Sequence, residues 1–205
     1  MSTTLESAAA PDSTVMPPYP VKRWTVAEYR HLAEIGVLTE DDNVELLEGW
    51  IVPKMTKNPP HEWTVTRIGR LLNGLLTVDW ITRTQCAINT VDSEPEPDVS
   101  IVRGPEDRYL KHHPSGEEIG LVIEVADTSL TKDRRKTTMY AAEGIPVYWI
   151  VNLVDDQIEA HSSPELSRGV YQKRDIFRQG ESIPIVLDGP AAAHIRVDEI
   201  LPPES

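Results

Sequence analysis

The run Ile119-Gly120-Leu121-Val122-Ile123-Glu124-Val125-Ala126 constrains the fold most, because both alternating faces are apolar apart from one acid. A strand of that kind must be covered on both sides. Behind it, Thr131 to Glu143 has a helical pattern that stops at Gly144, with Pro146 just beyond. Val147-Tyr148-Trp149-Ile150-Val151 then reads as a second buried strand. Strand, helix and strand in that order predict a right-handed crossover between parallel strands, and hence a mixed α/β architecture.

The remaining chain supplies the flanking layers. Thr25-Val26-Ala27-Glu28 fits a capping box opening a helix that carries Val26, Tyr29 and Leu32 and ends near Gly36. Val44–Leu47 and Trp50–Val52 read as a hairpin about Glu48-Gly49. From His61 to Leu76, Val65, Ile68, Leu71, Leu72, Leu75 and Leu76 form the apolar stripe of a second helix. Strands are predicted over Trp80 to Ile88 and Pro97 to Val102. After Asp155-Asp156, the pairing should continue through Gln157 to His161 and Gly169 to Phe177. No internal repeat is visible. Residues 1–20, rich in Ser, Thr, Ala and Pro, read as a flexible tail, 21–201 as one domain, and 202–205 as a short terminal tail.

The 205 residues carry a net charge of −13, which excludes coating of nucleic acid by bulk attraction and confines any polyanion contact to a local basic patch. Cys86 is the only cysteine, so an internal disulfide framework and a cysteine-cluster zinc site are both excluded. A reducing, cytoplasmic setting fits that usage. No apolar run reaches the roughly 20 residues that span a bilayer, and no membrane role is expected.

Three acids break the apolar pattern. Glu124 shares its strand face with Val122 and Ala126, so its charge needs a metal, a cation or a proton. Asp98 begins the Asp98, Ser100, Val102 face, and Glu45 lies between Val44 and Leu46, so three acids fall on three predicted strands of one sheet. The following helix offers a counterpart, since Lys132, Arg135, Lys136, Met139, Tyr140 and Glu143 share a face. If Met139 and Tyr140 meet the sheet, Lys136 points there too. Carboxylates of this kind suit Mg²⁺ or Mn²⁺, while a lysine can orient water or stabilise charge on a phosphate.

In order, the Val44–Val52 hairpin with its Glu48-Gly49 turn, His61 opening a helix, Pro97-Asp98, Val122-Ile123-Glu124-Val125, Asp133-Arg134-Arg135-Lys136 and Tyr140 to Val151 resemble the Uma-type family of restriction-endonuclease-like proteins. That family belongs to the PD-(D/E)XK nuclease superfamily, and the resemblance runs from Thr25 to Leu201. It implies a mixed central sheet flanked by helices, a Mg²⁺- or Mn²⁺-dependent endonuclease acting on DNA, and a homodimer. By position it makes Glu45, Asp98 and Glu124 the acidic metal site and Lys136 the catalytic lysine, with His61 as a candidate substrate contact; the basic run that holds Lys132 and Arg135 makes those two candidate contacts by local phosphate attraction. The superfamily lysine two residues after the second acid is Ala126 here, so the following helix must supply the amine. Glu96 is acidic where relatives commonly carry glutamine.

Other readings stand beside this one. Glu124 can be a structural partner of Arg135 or Lys136, and the fold can serve a catalytically silent nucleic-acid- or protein-binding protein, or a hydrolase of small phosphate esters. His112-His113 reads as a solvated loop, Cys86 as a small core hydrophobe, and Trp63, Trp80 and Trp149 as core or dimer-interface packing residues rather than base-stacking ones.

Overall fold

The Thr25 hydroxyl accepts from the Glu28 amide at 3.2 Å and the Glu28 carboxylate accepts from the Thr25 amide at 3.0 Å, so the expected capping box forms. It starts α1 (Val26–Glu34), the first helix of a computed structural model that describes residues 18–203. Residues 1–17 of the flexible tail expected over 1–20, and the last two residues of the expected terminal tail, lie outside the described residues. A hairpin of β1 (Val44–Leu47) and β2 (Trp50–Pro53) follows, with Glu48 and Gly49 both at positive φ in the turn. Gly49 is required there twice over, because a Cβ would also meet Arg23 Cβ at 2.8 Å.

Asn58 caps α2 (Pro59–Leu75), with Pro59 at its first position, and α2 buries Thr64, Val65, Ile68 and Leu72 on one stripe. Six strands then make the central sheet: β3 (Trp80–Thr84), β4 (Val99–Arg103), β5 (Ile119–Ala126), β6 (Val147–Asn152), β7 (Gln157–Glu165) and β8 (Val170–Arg178). They lie in chain order, and only β5 and β6 are parallel. The crossover between those two is α3 (Leu130–Ala142).

Every residue of β5 is buried, as its composition demands. Leu121, Ile123 and Val125 pack with Val65, Ile68 and Leu72 of α2, while Val122 and Ala126 pack with Met139 and Tyr140 of α3. Strand alternation therefore puts Glu124 under α3.

The first core is closed by residues absent from the sequence-based plan. β9 (Ser182–Val186) and β10 (Ala191–Arg196) form a second separate hairpin, followed by α4 (Val197–Ile200), and they deliver Ile183, Ile185, Ile195, Val197 and Ile200 to that layer.

Two expectations need correction. β3 ends at Thr84 rather than Ile88, because Gln85 adopts φ +52° and turns the chain, leaving Cys86 half-exposed with its thiol donating to the Thr84 carbonyl. Glu45 is not on the central sheet, since β1 pairs as a strand only with β2 and makes one further isolated β-bridge, Leu46 to Glu94. The tryptophans divide without contradicting the expectation: Trp80 and Trp149 are buried in the core and Trp63 is 43% exposed.

Candidate active site

Asp98 stands one residue before β4, and the antiparallel register that pairs Val99 with Ile123 sets it opposite Glu124. The two are tied by a bond from the Asp98 amide to Glu124 Oε2 at 3.3 Å. Asp98 Oδ2 accepts from the Val125 amide at 2.9 Å and lies 3.0 Å from His61 Nε2. Its other oxygen has no hydrogen-bond partner among the described residues, and Asp98 borders a cavity of about 300 Å³.

Lys136 reaches into that cavity from α3. Its Nζ donates to Glu124 Oε1 at 2.8 Å and lies 3.8 Å from both Glu45 Oε2 and Asp133 Oδ1. Glu45, Glu124, Asp133 and Lys136 are all buried. Tyr140, one helical turn after Lys136, donates its hydroxyl to the same Glu124 oxygen at 3.0 Å. Lys132, one turn before, binds Glu45 Oε1 at 2.6 Å and donates to the Pro53 carbonyl. Two lysines from α3 thus pin the β1–β2 hairpin against that helix, beside Glu124 of β5.

These charges reshape one another. Burial pushes the Glu124 carboxyl up to about 8, with Asp133 and Asp98 adding to the rise against Lys136. Burial would raise Glu45 too, but Lys136 and Lys132 hold it below the usual carboxylate range. Burial acts to lower Lys136, yet Glu124, Glu45 and Asp133 outweigh it and keep the amine protonated. The Tyr140 hydroxyl is driven well above its ordinary value by burial and by Glu124, so it remains a donor.

The structure brings Glu45, Asp98, Glu124, Lys136, His61 and Lys132 together around one cavity, but not Arg135. Arg135 is exposed and lines a neighbouring slot instead, and Lys136 is the residue that pairs with Glu124. Asp133 was missed: it points inward three residues before Lys136 and accepts from the Ser129 hydroxyl at 2.5 Å. The i, i+3 spacing to Lys136 was the available signal. Asn58 was missed as well. It accepts from the His61 amide at 3.1 Å and donates to Asp127, which sets the entry of α2 beside Asp98. Asn58→Ala is expected to cost about 1 kcal/mol of stability through the lost cap, measurable by urea denaturation. Glu96 pairs with Lys54 at 2.7 Å, so its charge is neutralised at the cavity mouth.

The oxygen donors of Asp98 and Glu124 fit a hard divalent cation. Among the described residues, however, no group of three or more His, Cys, Asp or Glu side chains is already set to hold one. Lys136 and Lys132 are the cations now bonded to Glu124 and Glu45.

A mixed sheet covered by helices on both faces, with a buried strand acid paired to a helix-borne lysine beside an acid from the neighbouring chain segment, defines a restriction-endonuclease-like fold. Within that class the chain belongs to the Uma2 family, described as "Putative restriction endonuclease", which matches residues 26–197. A similar solved structure is that of a protein from Anabaena variabilis ATCC 29413, titled a putative nuclease belonging to DUF820. It is 16% identical, with a TM-score of 0.66 over 88% of this chain and 97% of that one. A comparison with curated proteins found no match.

Proposed function

We propose that the protein is a Mg²⁺- or Mn²⁺-dependent endonuclease that hydrolyses phosphodiester bonds of DNA. The observation that carries this reading is the Lys136 ammonium within 4 Å of three buried carboxylates beside Asp98, in a cavity open to solvent. Asp98 and Glu124 would hold the ion, with Glu45 supporting them. A bound divalent cation supplies Lewis acidity and neutralises phosphate charge. Lys136 orients the attacking water and stabilises negative charge that develops on the phosphate. Tyr140 holds the Glu124 carboxylate in place, and His61 and the Val125 amide do the same for Asp98. Lys132, fixed by Glu45, meets an incoming phosphate on a chain that otherwise repels polyanions. The homodimer implied by the family resemblance belongs to the same proposal.

The test is cleavage of supercoiled plasmid and of oligonucleotide DNA under a Mn²⁺ titration, comparing wild type with Asp98→Asn. The variant is expected to lose at least about a hundredfold in rate. Equal rates would remove the site. One observation favours a catalytically silent, DNA-binding alternative: the lysines already neutralise the acids without a metal. Retention of labelled DNA in Ca²⁺, with no cleavage in Mn²⁺ or Mg²⁺, would establish that alternative.

A further inference from the structure

The register of the β1–β2 hairpin pairs Glu45 with Val52 and Leu47 with Trp50, so these four side chains share one face. That face looks at α3, where Lys132, Arg135, Lys136 and Met139 recur at three and four residue spacing. The acidic cavity occupies the Glu45 end. Towards the turn, Leu47, Trp50, Val52 and Met139 wall a second cavity of about 260 Å³, and Lys132 and Lys136 border both cavities.

The second slot is small and lined mainly by Leu47, Trp50, Val52 and Met139. Its volume is below the range of roughly 300–1,000 Å³ that holds drug-sized ligands, which suits a single heterocycle. Arg23 lies over the Trp50 ring, 5.1 Å from its centroid, and holds the indole against the hairpin. Arg135 supplies an exposed, planar cation on the helix side. The one acid on the slot, Glu48, sits at the turn, while Lys132 donates to Pro53 at the opposite end. Positive charge therefore borders the acidic cavity, where a phosphate would lie, and apolar surface lies beyond it. Glu45 and Leu47 are two strand residues apart, about 6.6 Å, so a phosphate met by Lys132 beside Glu45 and a base at Leu47 are spaced as in one nucleotide.

We propose that this slot takes an unpaired nucleobase of the strand whose phosphate enters the acidic cavity. The proposal rests on the nucleic-acid reading above and deepens it by assigning single-stranded or frayed DNA as the substrate class. A base inside a duplex is held between its neighbours and cannot enter a slot between a hairpin and a helix without leaving the stack. A free base can stack on Trp50 and contact Arg135, an arrangement that tolerates any sequence.

The test is fluorescence anisotropy of a labelled oligonucleotide of mixed sequence, with the full chain in Ca²⁺ at low salt. The strand is offered unpaired, annealed to its complement, and unpaired with a single abasic residue moved along it. The unpaired strand is expected to bind about tenfold more tightly than the duplex, and one abasic position should lose about tenfold. Trp50→Ala should remove that position dependence, and Arg135→Glu, which changes an exposed side chain, should weaken the unpaired strand selectively. Equal affinity for both forms, or no sensitive abasic position, would overturn the slot. If Trp50→Ala instead turned a dimer into a monomer in sedimentation without changing oligonucleotide affinity, a second copy would be the occupant and the proposal would fall. Mn²⁺ cleavage measured in parallel separates the two readings. Asp98-dependent cleavage without base dependence sinks the slot alone, while base-dependent binding without Asp98-dependent cleavage upholds the slot and sinks the hydrolytic activity.

Discussion

Lys136→Met is expected to lower Mn²⁺-dependent DNA cleavage by about 10²–10³ and the unfolding free energy by about 3–5 kcal/mol. Both effects have one cause. The amine is the shared counter-ion of Glu124, Glu45 and Asp133, all of them buried, and methionine fills similar space without the charge. Glu124 and Asp133, whose carboxyls already lie above the ordinary range, must then bind protons to stay buried, which lifts their folded-state values further. A raised carboxyl favours folding at low pH and loses that contribution as pH rises through the folded value. The variant should therefore lie nearer wild type at pH 5 than at pH 9 in urea denaturation. Adding Glu124→Leu should restore much of the stability and none of the cleavage. An unchanged denaturation midpoint in Lys136→Met at pH 9 would show that the carboxylates do not depend on this amine.

Glu159 is the second buried carboxylate under α3, and its removal should be felt in acid. β6 and β7 pair Ile150 with Glu159, and β5 and β6 pair Glu124 with Ile150, so the two acids lie in one row across the sheet. Glu159 accepts from Arg134 at 2.5 Å, Arg174 at 2.9 Å and Asn152 at 3.1 Å. Burial acts to raise its carboxyl, but the bonds from Arg134, Asn152 and Arg174 bring it down to about 2. At about 1.4 kcal/mol per unit, discounted because both guanidiniums are half-exposed, the cluster contributes about 2 kcal/mol. The folded value is depressed, so this contribution is present above the unfolded carboxyl range near 4.5 and is lost as pH falls towards 2. Thermal unfolding followed between pH 7 and pH 3 should show Glu159→Gln less stable at neutrality and converging with wild type in acid. A constant gap across that range would contradict the assignment.

Glu159 also marks where a one-dimensional pattern stops being informative. Gln157, Glu159 and His161 alternate with Ile158 and Ala160, which reads as a strand with one wet face. In the fold α3 covers that face, and the side chains of Glu159 and His161 are buried. Glu159 in that alternation is the centre of an ion-pair cluster under a helix, with the guanidiniums of Arg134 and Arg174 at its half-exposed rim. The β9–β10 hairpin escaped notice for a related reason. Its pattern is short and interrupted by Pro184 and Gly189, and its purpose appears only when Ile183, Ile185 and Ile195 are seen closing the α2 side of the core.

The crossover and the polar identity of its buried residues were legible in the letters alone. A strand apolar on both faces has one stable surrounding, and an acid inside it must find a cation or a proton wherever the chain runs. That reasoning isolates Glu124, and helical spacing adds Lys136 as its neighbour. Tertiary structure decided which other charges join them. Glu45 arrives on a separate hairpin, Asp133 on the inner side of α3, and Arg135 faces the adjoining slot, because the docking angle of a hairpin and the rotation of a helix depend on distant packing that spacing does not encode.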